Sequence, residues 1–203
     1  MIFKTSIWIG KTVLSACIPF VSCFAEGGKI ELIGVAVEGV HHLGSNYSIS
    51  SFYLDKNAFG NINHGGSSGT ICCVTIPDKW KPGLVVEVRW GLANRNGEIK
   101  DKLKKSNYRS DVDEGAYKAI VPIEKYEEPM DLYVHFFPGG KVRVLASQYS
   151  PNSKKHPIVE DDSNAAIKAT QGVKIKEIFS KKELEELIRY NNERLRKFGG
   201  WHG

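Results

Sequence analysis

Between residues 29 and 147 the chain repeats one pattern. Runs of seven to nine residues, rich in β-branched and aromatic side chains, alternate with glycine and proline. The runs are Lys29–Val37, Tyr47–Leu54, Thr70–Ile76, Leu84–Leu92, Tyr117–Ile123, Asp131–Phe137 and Lys141–Ser147. They are parted by Gly65-Gly66, Pro77, Pro82-Gly83, Asn96-Gly97, Pro129 and Pro138-Gly139-Gly140. Within Val85–Trp90, Val86, Val88 and Trp90 fall on one face and Glu87 and Arg89 on the other, the period-two signature of a half-buried strand. Residues 131–147 predict a hairpin closed around Pro138-Gly139-Gly140. Many short strands at such spacing predict a mainly β fold, an antiparallel β-sandwich or barrel-like sheet.

The period changes near the C-terminus. Ser180 and Glu183 have capping-box spacing, and Phe179 is placed to staple onto Leu184. Leu184, Leu187, Ile188, Leu195 and Phe198 then form one apolar stripe, with Gly199 where a helix stops. A stripe of this kind is expected to bury against the protein's own sheet. Residues 94–114 are polar and charged and predict a long exposed excursion between two strands, while 148–172, with Pro151, Pro157 and Glu160-Asp161-Asp162, read as a linker. The expected organisation is a signal segment at 1–22, a β-rich domain at 23–150, and a linker with C-terminal α-helix at 151–203.

The first two dozen residues have a different character. Met1 to Lys11 carries Lys4 and Lys11 and no acid, and Thr12 to Ser22 is an uncharged, mostly apolar run. That is the layout of a secretion signal, whose apolar region spans ~7–15 residues. It falls short of the ~20 residues that span a bilayer as a helix. Phe20-Val21-Ser22-Cys23 has the form of a lipobox, so Cys23 is the expected lipidation site. Leu14-Ser15-Ala16-Cys17 offers Cys17 as the alternative, and ordinary cleavage after Ala25 is a third possibility. Acylation at Cys23 would hold the domain at the inner or outer membrane, facing the periplasm.

The 203 residues carry a formal net charge of +5. Without Lys4 and Lys11, 26 basic residues face 23 acidic ones, with no basic stripe interleaved with aromatics. No nucleic-acid partner is expected from such a balance. Only Cys72 and Cys73 remain outside the leader. Neighbours on a regular strand point to opposite faces, so the first expectation is two small buried apolar residues. A disulfide between Cys72 and Cys73 is the alternative, and it requires a locally irregular backbone in an oxidising compartment.

Candidate chemistry is sparse. Gly65-Gly66-Ser67-Ser68-Gly69 spells the G-x-S-x-G of a nucleophile elbow, but the elbow needs a strand before the serine and a helix after it. Here a strand-like TICCVTI follows. His41, His42, His64 and His135 match no familiar ligand spacing, and His135 lies in an apolar run that predicts a core position. No catalytic residue, metal or cofactor is expected.

One block is more specific. Ile71-Cys72-Cys73-Val74-Thr75-Ile76-Pro77-Asp78-Lys79-Trp80-Lys81-Pro82-Gly83-Leu84, with Val134-His135-Phe136-Phe137-Pro138-Gly139-Gly140-Lys141-Val142-Arg143-Val144, resembles a family of small proteobacterial lipoproteins. That family is catalogued as domain of unknown function 3304. The resemblance runs from about Ile33 to Pro157. It implies likeness to immunity proteins that guard against lipase effectors of type VI secretion. The expected partner is then a cognate secreted lipase or phospholipase, inhibited by occlusion of its active site. Candidate contact residues are Gly65, Gly66 and Ser67 in the glycine-rich loop and Tyr108 and Arg109 in the 94–114 excursion. An accessory or structural envelope lipoprotein is the alternative. Trp80 and Trp90 are expected in the core.

Overall fold

The computed structural model describes residues 30–44, 46–63, 66–94, 113–159, 162 and 164–198. Among these the chain forms β1 (Leu32–His41), β2 (Tyr47–Leu54), β3 (Asn57–Ala58), β4 (Ser67–Pro77), β5 (Val85–Asn94), β6 (Asp113–Pro122), β7 (Leu132–Phe137), β8 (Lys141–Ala146), β9 (Thr170–Gln171) and β10 (Val173–Ile175). A 3₁₀ turn spans Ala165–Lys168, and helix α1 spans Lys181–Phe198. Sheet A runs β4-β1-β7-β8-β9 and sheet B runs β10-β6-β5-β2-β3. The sheets face each other as a sandwich and are not closed into a barrel. Pairing is antiparallel except between β1 and β7, which run parallel.

Alternation decides the core. Val86, Val88, Trp90 and Leu92 of β5 point inward with Ile49, Phe52 and Leu54 of β2 and Val121 of β6. They meet Val35 and Val37 of β1, Leu132, Val134 and Phe136 of β7, and Val142 and Val144 of β8. Trp90 stacks on Tyr117 at 5.5 Å and meets Phe136 at 5.6 Å between ring centroids. Trp80 packs against the same cluster and donates its indole N–H to the Ile123 carbonyl at 2.8 Å. At Gly39 an added Cβ would lie 2.7 Å from Ile62 and Phe52 side-chain atoms, so only glycine fits where β1 shifts register.

All six residues of β7 are buried, because sheet A is covered on both faces. On its outer face Val40, Tyr133, Phe137 and Leu145 pack with Ile158 and Ala165. Residues 148–172 are therefore more than a linker: they seal sheet A and end in β9, which joins its edge. Arg143 fixes the seal, with a two-pronged contact to Glu124 at 2.6 and 3.0 Å and a bond to the Ala165 carbonyl at 3.0 Å.

The helix departs from expectation. The capping box forms, with the Glu183 carboxylate accepting from Ser180 N–H at 3.0 Å and Ser180 Oγ accepting from Glu183 N–H at 3.3 Å. Phe179, however, docks edge-on against Tyr53 at 4.9 Å and beneath the Arg89 guanidinium at 4.8 Å, on the outer face of sheet B. Leu184, Ile188 and Leu195 are 46%, 61% and 50% exposed. The predicted burial of the stripe on the protein's own sheet does not occur, since only the first turn is tied down. Among the described residues no helix is long and apolar enough to cross a membrane.

Candidate functional site

Strand register gathers the loops. β1 ends at His41, which pairs with Phe136 near the end of β7. β2 opens at Tyr47, opposite Asn94 at the end of β5. Gly66 meets His41 through a 2.8 Å backbone bond, and Val40 pairs with Ser67. The connections after β1 and β7, the approach to β4, and the strand ends that flank residues 95–112 thus leave the sandwich at one end. Both segments singled out in the sequence depart from that end. Gly66 and Ser67 lie at this end; Gly65, His64, Tyr108 and Arg109 lie outside the described residues, as do Cys17 and Cys23.

The approach to β4 is pinned. Gly66 has φ 77°, a left-handed conformation that favours glycine. Ser67 Oγ donates to the Glu38 carboxylate and accepts from Gly69 N–H at 3.1 Å. Ser68 Oγ accepts from Gly39 N–H at 2.9 Å. Ser67 opens a strand and no helix follows, so the backbone is not that of a nucleophile elbow. Its hydroxyl is held by a carboxylate and a main-chain amide, and among the described residues no imidazole bonds it.

Beside this loop lies a niche of ≈80 Å³ lined by Val40, His41, His42, Ser67, Asn152 and Ile158, among others. Pockets for small molecules run to ~300–1,000 Å³. This niche is the size for one inserted side chain.

Beneath it runs a chain of three imidazoles. His42 Nε2 lies 2.9 Å from His135 Nδ1, and His135 Nε2 lies 3.1 Å from His156 Nε2. His156 Nδ1 lies 2.6 Å from the Tyr149 carbonyl. The carbonyl can only accept, so His156 donates from Nδ1. In neutral rings His156 Nε2 is then an acceptor, His135 Nε2 a donor, His135 Nδ1 an acceptor, and His42 Nε2 a donor. One carbonyl sets every tautomer in the chain. His135 is fully buried, as its apolar run predicted, and burial pushes it well below the usual histidine range, reinforced by His42, His156 and Arg143. Burial also lowers His156. The imidazoles bond one another in line and do not converge on a point. Among the described residues no group of three or more His, Cys, Asp or Glu side chains is arranged to hold a metal.

His156 carried no signal in the sequence, standing in a polar stretch beside Pro157. Glu38 and Arg89 were equally silent. Arg89 is buried on the outer face of sheet B, bonding Glu87 at 2.7 Å, the Ile178 carbonyl at 2.7 Å and Glu183 at 2.6 Å. The Glu183 carboxyl is pulled down to about 2, chiefly by the hydrogen bond from Arg89. The Arg89 guanidinium is raised in return, chiefly by Glu183.

Cys72 and Cys73 are exposed, not buried, and are joined as a vicinal disulfide. The pair falls where the β1–β4 ladder shifts register, between Val35↔Val74 and Val37↔Ile71. There two residues of the edge strand face one of β1, and the strict alternation that would separate the sulfurs is relaxed.

No curated protein and no solved structure matches the chain. One family model does, over much of the sandwich, from the connection after β1 to β8. Residues 44–144 match the model of a family described as a protein of unknown function, DUF3304.

Proposed function

We propose that this chain is an exported inhibitor that binds a secreted lipase or phospholipase, of the kind delivered by type VI secretion, and covers the mouth of its active site. The observation that carries this reading is the gathering of loops at one end of the sandwich. The rigid Gly66–Ser67 approach and the strand ends flanking 95–112 share that end, the arrangement by which β-sandwiches commonly present binding loops. The ≈80 Å³ niche beside Ser67 suits a single anchoring side chain of a partner. A specific interface of ordinary size needs ~800 Å² from each partner, which one loop end of a sandwich supplies. The exposed Cys72–Cys73 disulfide fits an oxidising compartment, in keeping with export and lipidation at Cys23 in the periplasm.

The test is survival of cells expressing a periplasm-targeted lipase from the adjacent gene, with and without this protein. Rescue is expected with the unmodified chain and with Ser67→Ala. It is expected to disappear with Ser67→Arg plus Asn152→Arg, which place two cations at the niche, and with deletion of residues 1–22. Failure of the unmodified chain to rescue, together with no complex on mixing the purified pair, would overturn the inhibitory reading and leave an accessory envelope lipoprotein.

A further inference from the structure

The niche at the loop end has walls from two sources. Val40 and His42 come from β1 and the residue after it, whereas Pro151, Asn152 and Ile158 come from residues 148–159, which cover sheet A. That cover contains no strand. Its backbone bonds are short-range turns, such as Ser153 N–H to the Ser150 carbonyl and His156 N–H to the Ser153 carbonyl, both at 2.9 Å. It is seated on the sheet by Ile158, buried in the outer cluster, and by His156, which bonds His135 of β7 at 3.1 Å. A segment with local backbone bonds and few apolar contacts can open without unfolding the rest.

The three imidazoles under this cover tolerate charge poorly. With the tautomers set by the Tyr149 carbonyl, a proton added to His156 turns its Nε2–H against the Nε2–H of His135 across 3.1 Å. A proton added to His135 turns its Nδ1–H against the Nε2–H of His42 across 2.9 Å. Reversing the tautomers of His135 and His42 removes the first clash, but the charge then stays on His156, beneath the apolar cover. The surrounding groups do not offset this. Glu38 of β1 favours charge on His156 but already accepts from Ser67, and burial outweighs it. Arg143 of β8, held by Glu124, opposes charge on His135. Tyr133 of β7 meets the His156 ring edge-to-face at 4.8 Å. In the cover, Lys155 lies over the Tyr149 ring at 5.6 Å, and at the end of β1 the His41 Nε2–H donates to the Asn63 carbonyl at 3.0 Å.

We propose that the histidine chain is a pH-sensitive latch: neutral, it holds residues 148–159 on sheet A and keeps the niche whole; protonated, it releases the cover and dismantles the niche. Lifting the cover returns His135 and His156 to water, so the released state binds the extra protons. Its population rises as pH falls through the ordinary histidine value of ~6.5. Between pH 7 and pH 5, each histidine that titrates only on release raises the opening constant by up to about 25-fold. The latch is a property of the free chain and does not depend on lipase inhibition. If a lipase side chain does fill the niche, the latch sets the pH range in which that end of the sandwich is complete.

Hydrogen–deuterium exchange of the purified chain, without any lipase, tests it. Protection is referred to the unfolded chain at the same pH, so that the intrinsic exchange rate cancels. Protection of residues 148–159 is expected to fall roughly tenfold or more between pH 7 and pH 5, while that of β5 holds. His156→Asn keeps a neutral donor and acceptor and is expected to shrink that fall by about threefold or more. His135→Asn plus His156→Asn is expected to abolish it, with β5 protection at pH 7 showing that the variant folds; if it does not fold, the single variant decides. No protection of the cover at pH 7, a fall shared equally by β5, no fall at all, or a fall untouched by His156→Asn would each overturn the proposal.

Discussion

The two outer faces of the sandwich are covered in opposite ways. Over sheet A, residues 148–169 lay down apolar side chains such as Ile158 and Ala165, and the polar groups beneath them are imidazoles bonded in series. Over sheet B the cover at the helix base is one aromatic ring, Phe179, and one charged centre in which Arg89 satisfies three acceptors. The first face gains from removing water from apolar surface. The second depends on a charge that remains partly solvated through Glu183. They should therefore differ in what breaks them and at what pH.

The largest effect is expected on the sealed face. Ile158→Ala removes a fully buried side chain from the outer cluster of sheet A, and such truncations cost about 2–5 kcal/mol. Urea unfolding should show a stability lowered by roughly 3 kcal/mol, and a loss below about 1 kcal/mol would mean that the cover is loosely seated. Next is Arg89→Met. It leaves the Ile178 carbonyl and Glu183 without their donor, at about 2 kcal/mol for the charged hydrogen bonds lost. Amide exchange should accelerate in the first turn of α1 while the protection of β5 and β7 persists. Equal acceleration everywhere would show that the helix base is integral to the sandwich.

Acidification separates the faces by sign and by window. His135 and His156 bind protons less readily folded than unfolded, so the unfolded chain holds more protons as pH drops. Their contribution is complete above an ordinary histidine value of ~6.5 and is lost as pH falls through it toward their lower folded values. The expected slope is up to about 1.4 kcal/mol per pH unit for each histidine, and His156→Asn should flatten it. Glu183, also lowered, keeps its contribution until pH falls through the ordinary carboxylate range toward about 2. Stability profiles from pH 7 to 3 should thus fall in two stages, and a flat profile between 7 and 5 would count against a neutral histidine chain. The smallest effect belongs to the exposed stripe. Ile188→Ala should change the thermal stability of the dilute protein by no more than ~0.5 kcal/mol, as at exposed positions generally. A larger loss at low concentration would mean that the stripe is covered within one chain.

Much of the fold was legible from side-chain period. Tyr47–Leu54 was placed residue for residue, and the strands at 131–147 fell within a residue of their expected ends. Trp90 and His135 lie in the core, as their apolar neighbours indicated. β3, β9 and β10 were missed, since two or three residues are too few to show a period. Of the candidate contacts, Gly66 and Ser67 do stand together beside the niche. His42, His135 and His156 could not have been grouped, because 93 and 21 residues separate the bonded pairs.

What the sequence determined by itself was local: which runs alternate and become strands, where glycine and proline end them, and where Ser180 and Glu183 start a helix. Those outcomes depend on neighbours a few residues apart, and such neighbours are written consecutively. What only the tertiary structure decided was partnership. It set β1 parallel to β7, folded 148–169 over sheet A, and brought Cys72 and Cys73 to an irregularity in an exposed edge. It also spent Arg89 on the helix base while leaving the apolar stripe of α1 uncovered. Each of these rests on contacts between residues distant in sequence, and periodicity carries no information about which distant surface a buried face will meet.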